Sequence, residues 1–261
     1  MQTHPYFDVG FAALAHRGGS LLPANVGREN TAVAFRNAVA LGFRYLETDV
    51  HVTRDGHLVA FHDDRLDRVS DASGLIRDLT LDQVRAVRVN GEPIPLFADL
   101  VDEFRDARFN VDIKAAGAEA PLADLLRAHA AFDRVCVGSF GQSRLATYRR
   151  LAAPLPKGTA ATSCGPVEVA AAMAAGVVGL PLPGPGLAYQ VPTHHEVAGR
   201  RVPVVTRGFV RGAHRAGRRV HVWTIDDPDE MHRLIDLGVD GLVSDAIDVL
   251  KQVLVGRGLW S

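Results

Sequence analysis

Cysteine is scarce, with Cys136 and Cys164 the only two in 261 residues. They stand in unrelated segments with no C-x-x-C spacing, so a disulfide framework and a thiolate zinc cluster are excluded, and the reducing cytoplasm is the simplest compartment. Net charge is missing as well: 29 basic against 30 acidic residues leave −1. No global field is available to grip nucleic acid or an anionic membrane surface. Met1 to Gly10 holds no basic segment leading into an apolar one. No later stretch reaches the roughly 18 apolar residues of a membrane span. A soluble, unexported protein without stable membrane insertion is expected. What the chain does have is 47% hydrophobic and 23% charged residues, enough for a sizeable core and too ordinary for disorder.

Short β-rich runs alternate with helical patterns almost throughout. Phe11 to His16 reads as a strand, Thr31 to Leu41 as a helix capped by Asn30, and Tyr45 to Thr53 as a strand of two-residue alternation. Strand–helix units follow at Arg108 to Ala131 and Arg134 to Leu151, then weaker ones with strands near Thr159 and Tyr189. Strands at Arg219 to Ile225 and Gly241 to Ser244, with helices Pro228 to Leu237 and Ile247 to Val255, close the chain. This rhythm predicts an α/β protein, a single (β/α)8 TIM barrel over residues 1–261 with its site at the C-terminal strand ends. Residues 63–95 break the rhythm and are expected to lie over the catalytic face without a core of their own. Gly179 to Gly186 is a loop by composition.

Alternation along Tyr45 to Val52 puts Tyr45, Glu47, Asp49 and His51 on one face and Leu46, Val50 and Val52 on the other. The apolar face must meet the helices, so two carboxylates point into the barrel, where they need a cation or a basic partner. Asp55-Gly56 is a two-residue turn signal that would pair His62 directly with Asp49. Phe109 to Lys114 repeats the pattern and turns Asn110, Asp112 and Lys114 inward. Carboxylates without a thiolate suit a hard divalent cation, Mg²⁺ or Ca²⁺, and the inward ammonium suits an anionic ligand. His16-Arg17-Gly18-Gly19 ends the first strand with an imidazole, a phosphate-binding guanidinium and close-approach glycines.

With His16-Arg17-Gly18, Glu29-Asn30-Thr31, Glu47-x-Asp49, the Asp55-Gly56 to His62-Asp63 hairpin, Val222-Trp223-Thr224 and Gly238 to Gly241, the chain resembles the glycerophosphodiester phosphodiesterase family over nearly its whole length. The resemblance implies a (β/α)8 barrel that hydrolyses a small-molecule glycerophosphodiester to an alcohol and sn-glycerol 3-phosphate with a divalent metal. It makes His16 and His62 the general acid/base pair, Glu47 and Asp49 metal ligands, and Arg17 and Lys114 phosphate ligands. Glu29 falls near the metal or the glycerol, and Gln190 and Trp223 line the substrate pocket. Asp112-x-Lys114 stands where the family commonly has Glu-x-Lys, so Asp112 is the expected third metal ligand with a shorter reach. Ser244-Asp245 replaces a Thr-Asp pair. The alternatives are a phospholipase C-like route through a cyclic phosphate, and a non-catalytic barrel that binds a phosphorylated metabolite.

Overall fold

The computed structural model describes residues 4–8, 10–153, 160–176, 184–197 and 199–260. Eight parallel strands form its centre: β1 (Ala12–His16), β2 (Tyr45–Val52), β3 (Arg108–Ile113), β4 (Val135–Gly138), β5 (Ala161–Thr162), β6 (Ala188–Val191), β7 (Arg219–Val222) and β8 (Gly241–Ser244). Their order is β5-β4-β3-β2-β1-β8-β7-β6. A parallel bridge between Ser163 and Ala188 joins the two ends, with Leu187 N–H donating to Thr162 O at 2.8 Å and Cys164 N–H to Ala188 O at 2.7 Å. Every strand therefore neighbours its successor, which is the expected (β/α)8 barrel.

The pleat sorts the side chains as the alternation predicts. Leu46, Val50, Phe109, Val111 and Ile113 belong to the cluster between strands and helices. Inside the barrel, at the N-terminal end of the strands, lies a separate cluster of Ala12, Leu14, Tyr45, Cys136 and Ala161, with Tyr6 beneath it. Tyr45 Oη donates to Tyr6 O at 2.6 Å and fixes that plug. Apolar filling at this end leaves the polar residues at the other, where the strands end.

Around the barrel run α1 (Ala32–Ala40), α3 (Phe97–Glu103), α4 (Glu119–Ala128), α5 (Gln142–Ala152), α6 (Pro166–Gly176), α7 (Arg207–Arg215), α8 (Pro228–Leu237) and α9 (Ile247–Gly256), while α2 (Leu81–Ala86) belongs to the excursion after β2. The cap of α1 is Thr31, whose hydroxyl accepts from Ala34 N–H at 3.2 Å, and not Asn30. Asn30 sits one residue earlier in the left-handed region, φ 58°, with its side chain turned into the barrel. Helices α2 and α3 and an antiparallel pair, His194–Val197 with Arg200–Pro203, carry no signal strong enough to have been predicted. Thr159 and most of the Gly179 to Gly186 loop lie outside the described residues.

Two expectations after β2 are corrected. The turn is not Asp55-Gly56 alone: Thr53 N–H donates to His57 O at 2.9 Å, and Thr53 Oγ1 donates to Asp55 at 2.7 Å, which leaves Arg54 to Gly56 as a three-residue loop. The pairing is Val50 with Ala60 and His51 with Val59, so Phe61, whose N–H donates to Asp49 O at 3.0 Å, meets Asp49 in place of His62. The excursion over 63–95 also has an apolar core of its own, built from Phe61, Leu66, Ile76, Val84, Val89 and Ile94 among others. Its apolar runs are short, yet they converge because Arg65 bridges Leu75 and Arg88–Val89 pairs with Glu92–Pro93.

Candidate active site

Two histidines arrive at the C-terminal end of the barrel by different routes. His16 is the last residue of β1 and pairs in register with Glu47. His62 leaves the hairpin just past its last paired residue, where a bend rather than the pleat aims it. His51 on β2 holds that bend by donating Nε2–H to His62 O at 3.0 Å. Each ring has a carboxylate at Nδ1. Asp245 lies 3.0 Å from His16 Nδ1 and also accepts from Ser20 Oγ at 2.6 Å; Asp63 accepts from His62 Nδ1. A carboxylate can only accept, so Nδ1 carries the proton in both rings and each Nε2 is free to take or give one.

Arg17 follows His16 with φ 50°, a strained left-handed conformation for a residue with a Cβ. What holds it is a pair of bonds from its N–H to Glu47, one to the backbone O at 3.0 Å and one to Oε2 at 3.2 Å. Gly18 follows at φ 87°, and a Cβ there would meet Ala34 Cβ at 2.7 Å, so only glycine lets the loop pass this close to α1. The Arg17 guanidinium reaches Glu29 at 3.2 Å and Asp49 at 3.3 Å. Asn30 Nδ2 donates to Asp49 Oδ2 at 3.1 Å and its Oδ1 accepts from Thr48 at 2.7 Å.

Asp49 and Asp112 are in register on β2 and β3, and Lys114 Nζ lies between them, 2.9 Å from Asp49 and 2.7 Å from Asp112. Burial opposes the charge on Asp49, but Lys114 and Arg17 outweigh it and hold its pKa below the ordinary value. Burial pushes Glu47 and Asp112 up; for Glu47 the neighbouring Asp49 adds to it, and for Asp112 Lys114 offsets it only in part. For His16, burial is outweighed by Glu47 and the Asp245 hydrogen bond, so its pKa rises. Among the described residues no three His, Cys, Asp or Glu side chains stand as a ready-made metal cluster. The donors nevertheless suit a hard cation. Asp112 Oδ1 is buried without a hydrogen-bond partner, and the negative forms of Glu47 and Asp112 are only partly compensated by the bases around them.

His16, Arg17, Glu47, Asp49, His62, Asp112, Lys114, Gln190 and Trp223 all line one cavity of about 400 Å³. Glu29, the remaining residue singled out in the sequence, stands behind it between Arg17 and Arg68. Gln190 donates to Asn110 at 2.5 Å across the barrel, and the Trp223 ring meets Phe140 edge-on at 5.6 Å. The functional parts that sequence reasoning missed are the two orienting carboxylates, Asn30 as a brace for Asp49, and Arg68. Arg68 comes from the excursion and grips both Asp63, through Nε and Nη2, and Glu29, at 3.0 and 2.7 Å. Asp63, adjacent to His62, and Asp245, one residue past β8, had positions that could have marked them.

A barrel whose strand ends gather proton carriers, acidic groups and guanidinium or ammonium groups in one cavity is of the class that cleaves phosphate esters. Residues 16–249 match the Glycerophosphoryl diester phosphodiesterase family. A Mycobacterium tuberculosis protein named probable glycerophosphodiester phosphodiesterase 2 is 39% identical, with 96% of this chain and 93% of that protein covered. A Caldanaerobacter subterraneus glycerophosphodiester phosphodiesterase is 30% identical, with 94% and 98% covered. Among solved structures, an Oleispira antarctica phosphodiesterase in complex with the product sn-glycerol-3-phosphate superposes with a TM-score of 0.74 at 21% identity, over 94% of this chain and 97% of that one. The chain belongs to the glycerophosphoryl diester phosphodiesterase family and is a phosphoric diester hydrolase.

Proposed function

We propose that the protein hydrolyses glycerophosphodiesters to an alcohol and sn-glycerol 3-phosphate, in the cytoplasm, by acid/base catalysis from His16 and His62 with a divalent cation. The observation that carries this reading is the matched pair of rings in one cavity, each fixed at Nδ1 by a carboxylate. A binding protein needs positive charge around phosphate but has no use for two oriented proton carriers. The product named for the Oleispira antarctica structure supports the choice of glycerol phosphate, and the two buried free cysteines suit a reducing compartment.

In this mechanism Arg17 and Lys114 bind the non-bridging phosphoryl oxygens and exchange part of their pairing with Asp49 for the ligand. One histidine takes the proton of the attacking water at Nε2, and the other gives its proton to the departing alkoxide. Gln190 and Trp223 place the alcohol. Glu29, behind the cavity, holds the Arg17 guanidinium towards the phosphoryl group. Mg²⁺ or Ca²⁺, held by Glu47, Asp49 and Asp112, would supply further positive charge to the phosphoryl oxygens.

The test is release of glycerol 3-phosphate from glycerophosphocholine with Mg²⁺ or Ca²⁺ added. Release that requires the metal is the expected result. No release from any of several head groups with either metal would overturn the reading.

A further inference from the structure

Four consecutive strands bring neutral residues to the cavity: Asn110 of β3, Gly138 of β4, Ser163 just past β5 and Gln190 of β6. Asn110 is 7% exposed and Ser163 5%. Gln190 Nε2 donates to Asn110 Oδ1, which orients both amides and leaves Gln190 Oε1 as an acceptor and Asn110 Nδ2 as a donor. Among the described residues neither of these atoms has a hydrogen-bond partner, and neither does Ser163 Oγ. The neighbouring Ser139 hydroxyl, by contrast, is fully used: it donates to Ile113 O at 2.8 Å and accepts from Gly141 N–H at 3.2 Å and from Arg144 at 3.0 Å.

Gly138 makes room among them. A Cβ there would stand 3.2 Å from Ser163 Oγ and 3.4 Å from Gln190 Oε1, so both oxygens border the space a side chain would fill. The backbone at Gly138 is not left-handed, so the absence of a side chain serves space and not conformation. Buried polar groups are nearly always paired. Unpaired ones gathered around one gap in a substrate cavity mark a place where the ligand supplies the partner. A hydroxyl suits all three, since it donates to Gln190 Oε1 and accepts from Asn110 Nδ2 or Ser163 Oγ. A quaternary ammonium does neither and would leave them dry and unpaired, and a primary ammonium only donates. Phe140, whose ring would attract a cation, already has Lys114 Nζ 5.4 Å from its centre.

We propose that Asn110, Ser163 and Gln190, around Gly138, receive a second hydroxyl of the head-group alcohol, so that the protein prefers diol and polyol head groups to choline or a simple alkyl alcohol. The inference rests on the hydrolase reading above, in which Gln190 and Trp223 place the alcohol. Ser163 and Gly138 then determine specificity: they meet the departing alcohol and take no part in proton transfer.

Matched head groups isolate the hydroxyl. Glycerol 3-phosphate release is measured from its 2-hydroxyethyl and 3-hydroxypropyl diesters and from the propyl and butyl diesters, in which a methyl replaces the hydroxyl and the glycerol end is the same. In the pair whose hydroxyl reaches the gap, kcat/KM is expected to be at least about tenfold higher for the hydroxylated member. Ser163→Ala, which removes a hydroxyl without a protein partner, and Gly138→Ala, which puts a methyl in the gap, are each expected to shrink that ratio at least about threefold. The intrinsic reactivity of each diester cancels in this comparison between variants. A ratio near one in both pairs overturns the proposal, as does a ratio that Ser163→Ala leaves unchanged. Turnover of the alkyl diesters under those outcomes leaves the hydrolase reading standing, whereas no glycerol 3-phosphate from any diester overturns both.

Discussion

A histidine moves a proton on demand only if its ring is held in one tautomer, and here that hold comes from single residues outside the barrel wall. Asp63 is kept at a pKa of about 2, first by its hydrogen bond from Arg68 and then by His62. Asp245 is likewise lowered, the His16 hydrogen bond overcoming burial. Both remain charged acceptors through the working range. His16→Ala and His62→Ala are each expected to lower kcat by about 10² to 10⁴ without unfolding the protein, since neither empties a large core volume. A well-folded variant with near wild-type hydrolysis would remove that histidine from the mechanism. Asp112 gives a second residue-level prediction. Its unpartnered Oδ1 is the donor left over after Lys114 has taken Oδ2, so Asp112→Asn should weaken Mg²⁺ and Ca²⁺ binding by about tenfold or more. Calorimetric titration of the two metals into both proteins checks this, and equal affinities would exclude Asp112 from the metal site.

At the scale of elements, β2 and β3 were legible because period-two alternation translates directly into inward and outward faces, and Glu47, Asp49 and Asp112 fall where it puts them. His62 shows the limit of the same logic. The three-residue loop slips the register by one, which should turn the side chain away, but His62 lies beyond the ladder and a bend restores it to the cavity. Whether Arg54 is in the turn depends on Thr53 and Asp55 bonding each other and on Asp55 accepting from Leu81 N–H at 3.0 Å, contacts that no local pattern reveals. The excursion was legible as an interruption, not as a small core, because its apolar residues meet only through long-range pairing. Its functional contribution is Arg68, at the end of the 3₁₀ turn Leu66–Arg68. One planar guanidinium ties the acid that orients His62 to the acid that pairs with Arg17. Lysine offers a point charge without the fork, so Arg68→Lys is expected to lower kcat/KM about tenfold or more with the circular dichroism unchanged. An unchanged kcat/KM would make the Arg68 contacts ornamental.

The whole barrel is layered: an apolar floor closed by Tyr6, and a polar ceiling in which nearly every charge has a partner. His221, on the inward face of β7 beside Gln190 and Gly241, is an exception in the body of the barrel. It is buried, its Nδ1 has no hydrogen-bond partner, and Phe7 covers it at 6.0 Å. Burial lowers its pKa to about 4; Asp240 pulls the other way, while Arg219, paired with Asp240 at 2.9 Å, adds to the lowering. Above pH of about 6.5 the ring is neutral in both folded and unfolded chains and contributes no pH dependence. Between there and pH 4 the unfolded chain takes a proton that the folded barrel refuses, so folding weakens as pH falls, by about 3 kcal/mol at pH 4, and the loss levels off below it. His221→Leu removes the titrating group and keeps the site apolar. Urea unfolding of both proteins at neutral pH and near pH 4 isolates the effect, since every other group cancels in the difference. Relative to the wild type, the variant is expected to gain about 3 kcal/mol on acidification. A difference that does not change with pH would mean that the barrel opens to accommodate the charged ring, and that its floor is not dry.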